Sequence, residues 1–179
     1  MSEEKTIERK QIYNGRVVQL RVDTISAPGG RTKQREVVVH PGAAAIVAFI
    51  NEQVLLVEQY RKAVESKTLE IPAGTLEVGE SPEECASREL IEETGFQAAQ
   101  LDKLVAVFPS PGFSSETINI FKASGLTKVA DVEAELAIRF MDLNDLLDKI
   151  RNGEIKDGKT IIGVMMAATF CTLQLQNLP

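Results

Sequence analysis

Apolar residues along this chain recur in two rhythms, alternation and helical spacing, and the switches between them mark the elements. From Gln11 to Ser26 the side chains alternate loosely, with Val18, Leu20, Val22 and Thr24 on one face, and Pro28-Gly29-Gly30 then supplies a turn. Gln34 to Val39 reads as a second strand, so the N-terminal part is expected to be a small antiparallel unit that needs a further surface to lie against. His40-Pro41-Gly42 breaks the chain, and an appendage over residues 1–41 is expected to give way there to a main domain over 42–179.

The main domain opens with Ala43 to Ile50 and Val54 to Glu58, two largely apolar runs around Asn51-Glu52-Gln53 that predict a buried hairpin. Thr68 to Ile71 is short and extended. The strongest helix signal follows: Ser81 can cap, Pro82 takes the first helical position, Glu84 completes a capping box, and Gly95 stops a helix that runs to Thr94. Lys103 to Phe108, Thr117 to Lys122 and Leu136 to Met141 read as strands. Helices from about Leu143 to Asn152, with Gly153 as its stop, and from Thr160 to about Gln176 finish the chain. This order suggests a mixed sheet held between helices.

Charge narrows the possible partners. The formal net charge is −6 and the pI is near 5.0, which leaves no net positive field for nucleic acid, although cations held by carboxylates can reverse the field locally. Cys85 and Cys171 are too isolated for a disulfide framework or a zinc site. The charged N-terminus lacks the apolar core of a secretory signal, so a cytoplasmic location is expected. The apolar stretch Ile161 to Leu175 is interrupted by Gly163, Thr169, Thr172 and Gln174 and falls short of the roughly 20 residues of a membrane span, so it reads as a buried helix.

Candidate chemistry concentrates between Gly74 and Phe96. On a helix, Glu89 and Glu93 project from one side with Glu92 beside them. An acidic helix face is ordinarily a solvated one, but like charges four apart repel and invite compensation. Mg²⁺ suits such a cluster because it prefers carboxylate and carbonyl oxygens and keeps sites for substrate phosphates. Arg88 is expected to point away from Glu89 by about a quarter turn and to pair with Glu84 or Glu92.

Taken whole, the stretch resembles the Nudix box: glycine, five residues, glutamate, seven residues, Arg-Glu-aliphatic, one residue, Glu-Glu, one residue, glycine and an apolar residue. Every specified position is filled, from Gly74 and Glu80 through Arg88-Glu89-Leu90 and Glu92-Glu93 to Gly95-Phe96. The resemblance implies an α/β fold, a Nudix-type α/β/α sandwich with a mixed sheet and an N-terminal antiparallel strand appendage. It also implies hydrolysis of a nucleoside diphosphate linked to another group. By similarity, Glu89, Glu93 and the carbonyl of Ala73 are metal ligands for Mg²⁺, with Mn²⁺ a possible substitute. Glu92 and Arg88 support catalysis, and Glu80 acts behind the ligands.

Three further features are similar to the ADP-ribose pyrophosphatase branch: Pro111 sixteen residues after Gly95, Arg35-Glu36 ahead of His40-Pro41-Gly42, and Glu58-Gln59-Tyr60-Arg61. This branch implies ADP-ribose as substrate, AMP and ribose 5-phosphate as products, and a homodimer with exchanged N-terminal strands. Arg35, Glu36, Arg61, Leu76, Gly112, Phe113 and Glu116 are the substrate-binding residues it implies, and Glu133 or Glu135 the base, the choice remaining open. His40, the single histidine, reads as structural or as a pocket wall. Other nucleoside diphosphate derivatives (a nucleotide sugar, a dinucleoside polyphosphate, NADH) and a non-catalytic ligand-binding module are the alternatives. The intact box and the lack of an appended DNA-binding domain speak against the last.

Overall fold

The fold was read from a computed structural model, which describes residues 4–27, 29–132 and 136–176, with side chains as far as Thr169. The chain forms two compact units, one ending at Gly42 and completed by Phe108–Thr117, the other made of Ala43–Val107 and the chain from Ile118 onward.

The first unit is a three-stranded antiparallel sheet of β1 (Lys5–Asn14), β2 (Gln19–Ala27) and β3 (Arg31–Val39), in that order. The expected single strand from Gln11 to Ser26 is in fact parts of two, because the chain reverses after Asn14, where Gly15 N–H donates to the Val18 carbonyl at 2.9 Å. β1 leaves no alternation signal in the sequence. All ten of its residues are exposed and its register against β2 shifts twice, so backbone pairing rather than burial holds it. Within the same unit the Phe108–Thr117 segment is tied to β3: Val38 N–H donates to the Phe113 carbonyl at 2.8 Å and Ser115 N–H to the Val38 carbonyl at 3.0 Å.

In the second unit β4 (Ala43–Ile50) and β5 (Gln53–Arg61) form the expected hairpin, with Asn51 and Glu52 both at positive φ as a tight turn requires. β6 (Ser66–Glu70) pairs with β5, and β7 (Ala73–Thr75), which the sequence did not reveal, pairs with β4. Helix α1 (Pro82–Thr94) is followed by a two-residue strand β8 (Phe96–Gln97), then β9 (Gln100–Val107) and β10 (Ile118–Ser124). A second short strand, β11 (Thr127–Lys128), pairs with β8, and β12 (Ala137–Asp142) leads into α2 (Leu143–Arg151) and α3 (Gly158–Gln176). The main sheet runs β12-β5-β4-β10-β9, and only β10 beside β4 is parallel among these neighbours.

β4 is buried on both faces, which explains its unbroken apolar sequence. Ala43, Ala45 and Val47 face Leu146, Val164 and Ala167 of α2 and α3; Ala44, Ile46 and Ala48 face Cys85, Ala86 and Leu90 of α1. The result is a sandwich with α1 on one side of a mixed sheet and α2 and α3 on the other. α3 is buried along one face, through Thr160, Gly163, Val164 and Ala167, whereas Met165 is exposed. The expected buried helix is therefore buried on one face as far as its side chains are described, as suits a helix on the outside of a sandwich. Among the described residues no helix is long and apolar enough to cross a membrane.

Candidate active site

α1 is fixed at both ends by its own sequence. Ser81 N–H donates to Glu84 Oε2 at 2.8 Å and Glu84 N–H to Ser81 Oγ at 3.3 Å, the reciprocal capping box, and Gly95 closes the helix at φ 74° with its N–H on the Ile91 carbonyl. Burying Cys85, Ala86, Leu90 and Thr94 against the sheet fixes the rotation of the helix. That rotation brings Glu89 and Glu93 alongside β7.

β7 and α1 meet without room to spare. A Cβ on Gly74 would lie 1.8 Å from Glu89 Oε1, so only glycine lets the strand pass the carboxylate. One residue earlier, Ala73 N–H donates to Glu93 Oε2 at 3.0 Å. Burial pushes the Glu93 carboxyl up to about 7, aided by the neighbouring Glu89 charge and opposed by Arg61 and Lys159. Burial also raises Glu89, against the pull of Arg88. Among the described residues Glu93 makes no ion pair, and Arg61 and Lys159 act on it only from a distance.

Arg88 is the hub behind this pair. Its Nε and Nη2 grip both oxygens of Glu80 at 2.8 and 2.9 Å, and its Nη1 donates to Glu89 Oε1 at 2.7 Å and to Glu92 Oε2 at 3.0 Å. The expectation that Arg88 points away from Glu89 is therefore corrected, and so is its pairing with Glu84. The long guanidinium reaches back over the helix, while the Glu84 carboxylate is committed to the cap. Hydrogen bonds from Arg88, with one from Glu77 N–H, hold Glu80 down at about 2. Glu92 is more exposed and touches only the rim of the cluster.

This donor set fits a hard divalent cation. Glu89 and Glu93 offer two carboxylates beside Ala73 and Gly74, and a bound cation would stabilise the ionised form of Glu93 that burial disfavours. Among the described residues no three acidic, histidine or cysteine side chains close into a preformed cage. Two carboxylates suffice for Mg²⁺, which commonly keeps water and shares substrate phosphates. Glu133 and Glu135, the expected base candidates, lie outside the described residues.

Arg61, at the end of β5, donates from Nε and Nη2 to the two oxygens of Glu70 at 2.8 and 2.6 Å. Glu70 is buried, yet bonds from Arg61, Lys159 and Thr68 outweigh that burial and hold its carboxyl at about 2. Sequence reasoning missed Glu70 and Lys159, although a charged residue inside Leu69-Glu70-Ile71-Pro72 was a signal. Leu76 packs at the edge of the core on the α1 side.

The remaining predicted residues lie in the first unit. Arg35 forms a two-point pair with Glu4 at 3.1 and 2.5 Å, and Glu36 is exposed next to it. Gly112 and Phe113 occupy the segment tied to Val38, and the Phe113 ring is exposed. His40 Nδ1 accepts from Gly42 N–H at 3.1 Å and stands 3.8 Å from Glu116 Oε1, a structural use of the ring.

Residues 39–161 match the family model described as the NUDIX domain. The methanol dehydrogenase activator of Bacillus methanolicus is 46% identical over 181 residues, covering 98% of this chain and 95% of its own. The ADP-ribose pyrophosphatase of Bacillus subtilis strain 168 is 39% identical, with 98% of each chain covered. Among solved structures, an ADP compounds hydrolase superposes with a TM-score of 0.85 over 97% of both chains at 22% identity, a likeness of fold.

Proposed function

The chain belongs to the Nudix family, and on that premise we propose that it is a pyrophosphohydrolase that cleaves ADP-ribose to AMP and ribose 5-phosphate with Mg²⁺. The observation that carries this reading is the half-buried pair Glu89 and Glu93 beside Ala73, of which Glu93 makes no ion pair among the described residues while Arg88 holds Glu89 from behind.

Glu89, Glu93 and the Ala73 carbonyl would hold the metal. Bound there, Mg²⁺ neutralises phosphate charge and makes water a better nucleophile. Arg88 keeps Glu89 in place and balances Glu80 and Glu92, so the ligand carboxylate is held in position. Arg61 is a phosphate donor, and Glu133 or Glu135 takes the proton of the attacking water. Arg35, Glu36, Leu76, Gly112, Phe113 and Glu116 complete the substrate contacts of this reading. The same reading takes the protein to be a cytoplasmic homodimer with exchanged N-terminal strands and possible use of Mn²⁺.

Release of AMP from ADP-ribose, nucleotide sugars, dinucleoside polyphosphates and NADH, with and without Mg²⁺, tests the proposal. ADP-ribose should give the highest kcat/KM, and no metal-dependent release from any of them would sink the reading. The 46% identity to a methanol dehydrogenase activator supports a second role, activation of such a dehydrogenase. Adding the chain and its Glu93→Gln variant to a methanol dehydrogenase assay tests that role and shows whether it depends on the same site.

A further inference from the structure

Residues 70–73, which lead into the proposed metal site, are each held by a hydrogen bond from elsewhere in the second unit. Glu70 is gripped through its side chain, Ile71 N–H donates to Thr160 Oγ1 at 2.9 Å, the Pro72 carbonyl accepts from Ile46 N–H at 2.9 Å, and Ala73 N–H is on Glu93. The start of α3 supplies two of these anchors. Asp157 Oδ2 accepts from Thr160 N–H at 2.9 Å and from Thr160 Oγ1 at 2.6 Å, while Lys159 Nζ bridges Asp157 Oδ1, at 2.9 Å, and Glu70 Oε2.

Glu70 thus lies between two cations, with its side chain 2% exposed and that of Lys159 11%. Arg61 spends Nε and Nη2 on Glu70, and its side chain is still 44% exposed. An Arg–carboxylate fork fixes the plane of the guanidinium, which leaves the Nη1 edge without a partner among the described residues. Glu70 thus orients Arg61 while it also binds Lys159. The quartet Glu70, Asp157, Arg61 and Lys159 is neutral overall, and Arg61 and Lys159 both act favourably on the Glu93 charge.

We propose that Glu70 and Lys159 are positioning residues that lock the Arg61 guanidinium with its free edge turned to the substrate diphosphate. This inference rests on the pyrophosphohydrolase reading and adds to it residues that flank the box on both sides and lie outside it. Removing the lock leaves Arg61 present but free to rotate, so substrate binding suffers more than the chemical step.

The test compares Glu70→Gln, Lys159→Met and the double variant, which deletes one negative and one positive charge together. Three quantities are read: thermal midpoint, KM against kcat for ADP-ribose with Mg²⁺, and the Arg61 Nε–H resonance, identified by its loss in Arg61→Lys. The double variant should regain most of the midpoint lost by the single ones. Its KM should stay raised by about tenfold or more, with kcat within roughly threefold, the scale expected for a supporting hydrogen-bond partner. The slowly exchanging Nε–H signal should disappear. Recovery of KM together with the midpoint, or persistence of the Nε–H signal in Glu70→Gln, would overturn the proposal. If the unaltered protein fails to hydrolyse ADP-ribose, the substrate reading falls separately, and the resonance, which needs no turnover, still decides whether Glu70 orients Arg61.

Discussion

Ala73 and Glu93 share a hydrogen bond of 3.0 Å, from the strand's backbone N–H to the helix's carboxylate. The bond joins the two elements that carry the proposed metal ligands. It ties the Glu93 side chain to the backbone of β7, while Glu93 makes no ion pair among the described residues.

Replacing Glu93 by Gln keeps the side-chain volume and leaves an oxygen to accept from Ala73, but deletes the charge. Turnover should fall by about 100-fold or more, beyond the loss typical of a mere supporting partner, with the thermal midpoint unchanged or raised. Near-normal rates at saturating Mg²⁺ would show that the ligand assignment is wrong.

The same carboxyl gives a pH dependence. Burial lifts it from 4.5 to about 7 in the metal-free protein, so between those values the folded chain holds a proton that the unfolded chain has lost. Stability of the metal-free protein therefore declines as pH rises through that window. A metal must displace the proton, so Mg²⁺ affinity should climb with pH and level off above about 7. Calorimetry in buffers of different ionisation heat should detect proton release about one unit below 7 and little about one unit above it. Equal release at both would contradict the assignment.

Gly74→Ala places a methyl group where the Glu89 carboxylate lies. Either the carboxylate or β7 must shift, and Mg²⁺ affinity should drop by about tenfold or more, as ligand geometry is lost. Isothermal titration of the variant with Mg²⁺ checks this, with far-ultraviolet circular dichroism confirming the fold. Unchanged affinity would mean that Glu89 does not bind from its present position.

Removing the residues before His40 deletes β1, β2 and β3. If these strands are exchanged between subunits, light scattering should show a dimer for the full chain and a monomer for the shortened one. The exposed apolar residues Ile7, Ile12 and Tyr13 on β1 give such an exchange a surface to cover. A shortened chain that remained dimeric would count against it.

The sequence by itself determined what is local. Ser81, Pro82, Glu84 and Gly95 start and stop α1 through bonds within a few residues, and a helical repeat then sets Glu89, Glu92 and Glu93 on one side whatever surrounds them. β4 was legible because burial on both faces leaves an uninterrupted apolar run. Tertiary structure decided what depends on partners distant in sequence. β1 carries no burial pattern, since backbone pairing alone holds it. Arg88 could be placed on the helix, yet which of its acidic neighbours it grips depended on where the loop carrying Glu80 folds back. Glu70 and Lys159 lie 89 residues apart and meet only when α3 packs on the sheet. Helical spacing and capping are short-range geometry written in neighbouring residues; a buried ion pair exists only after the whole chain has brought its two halves together.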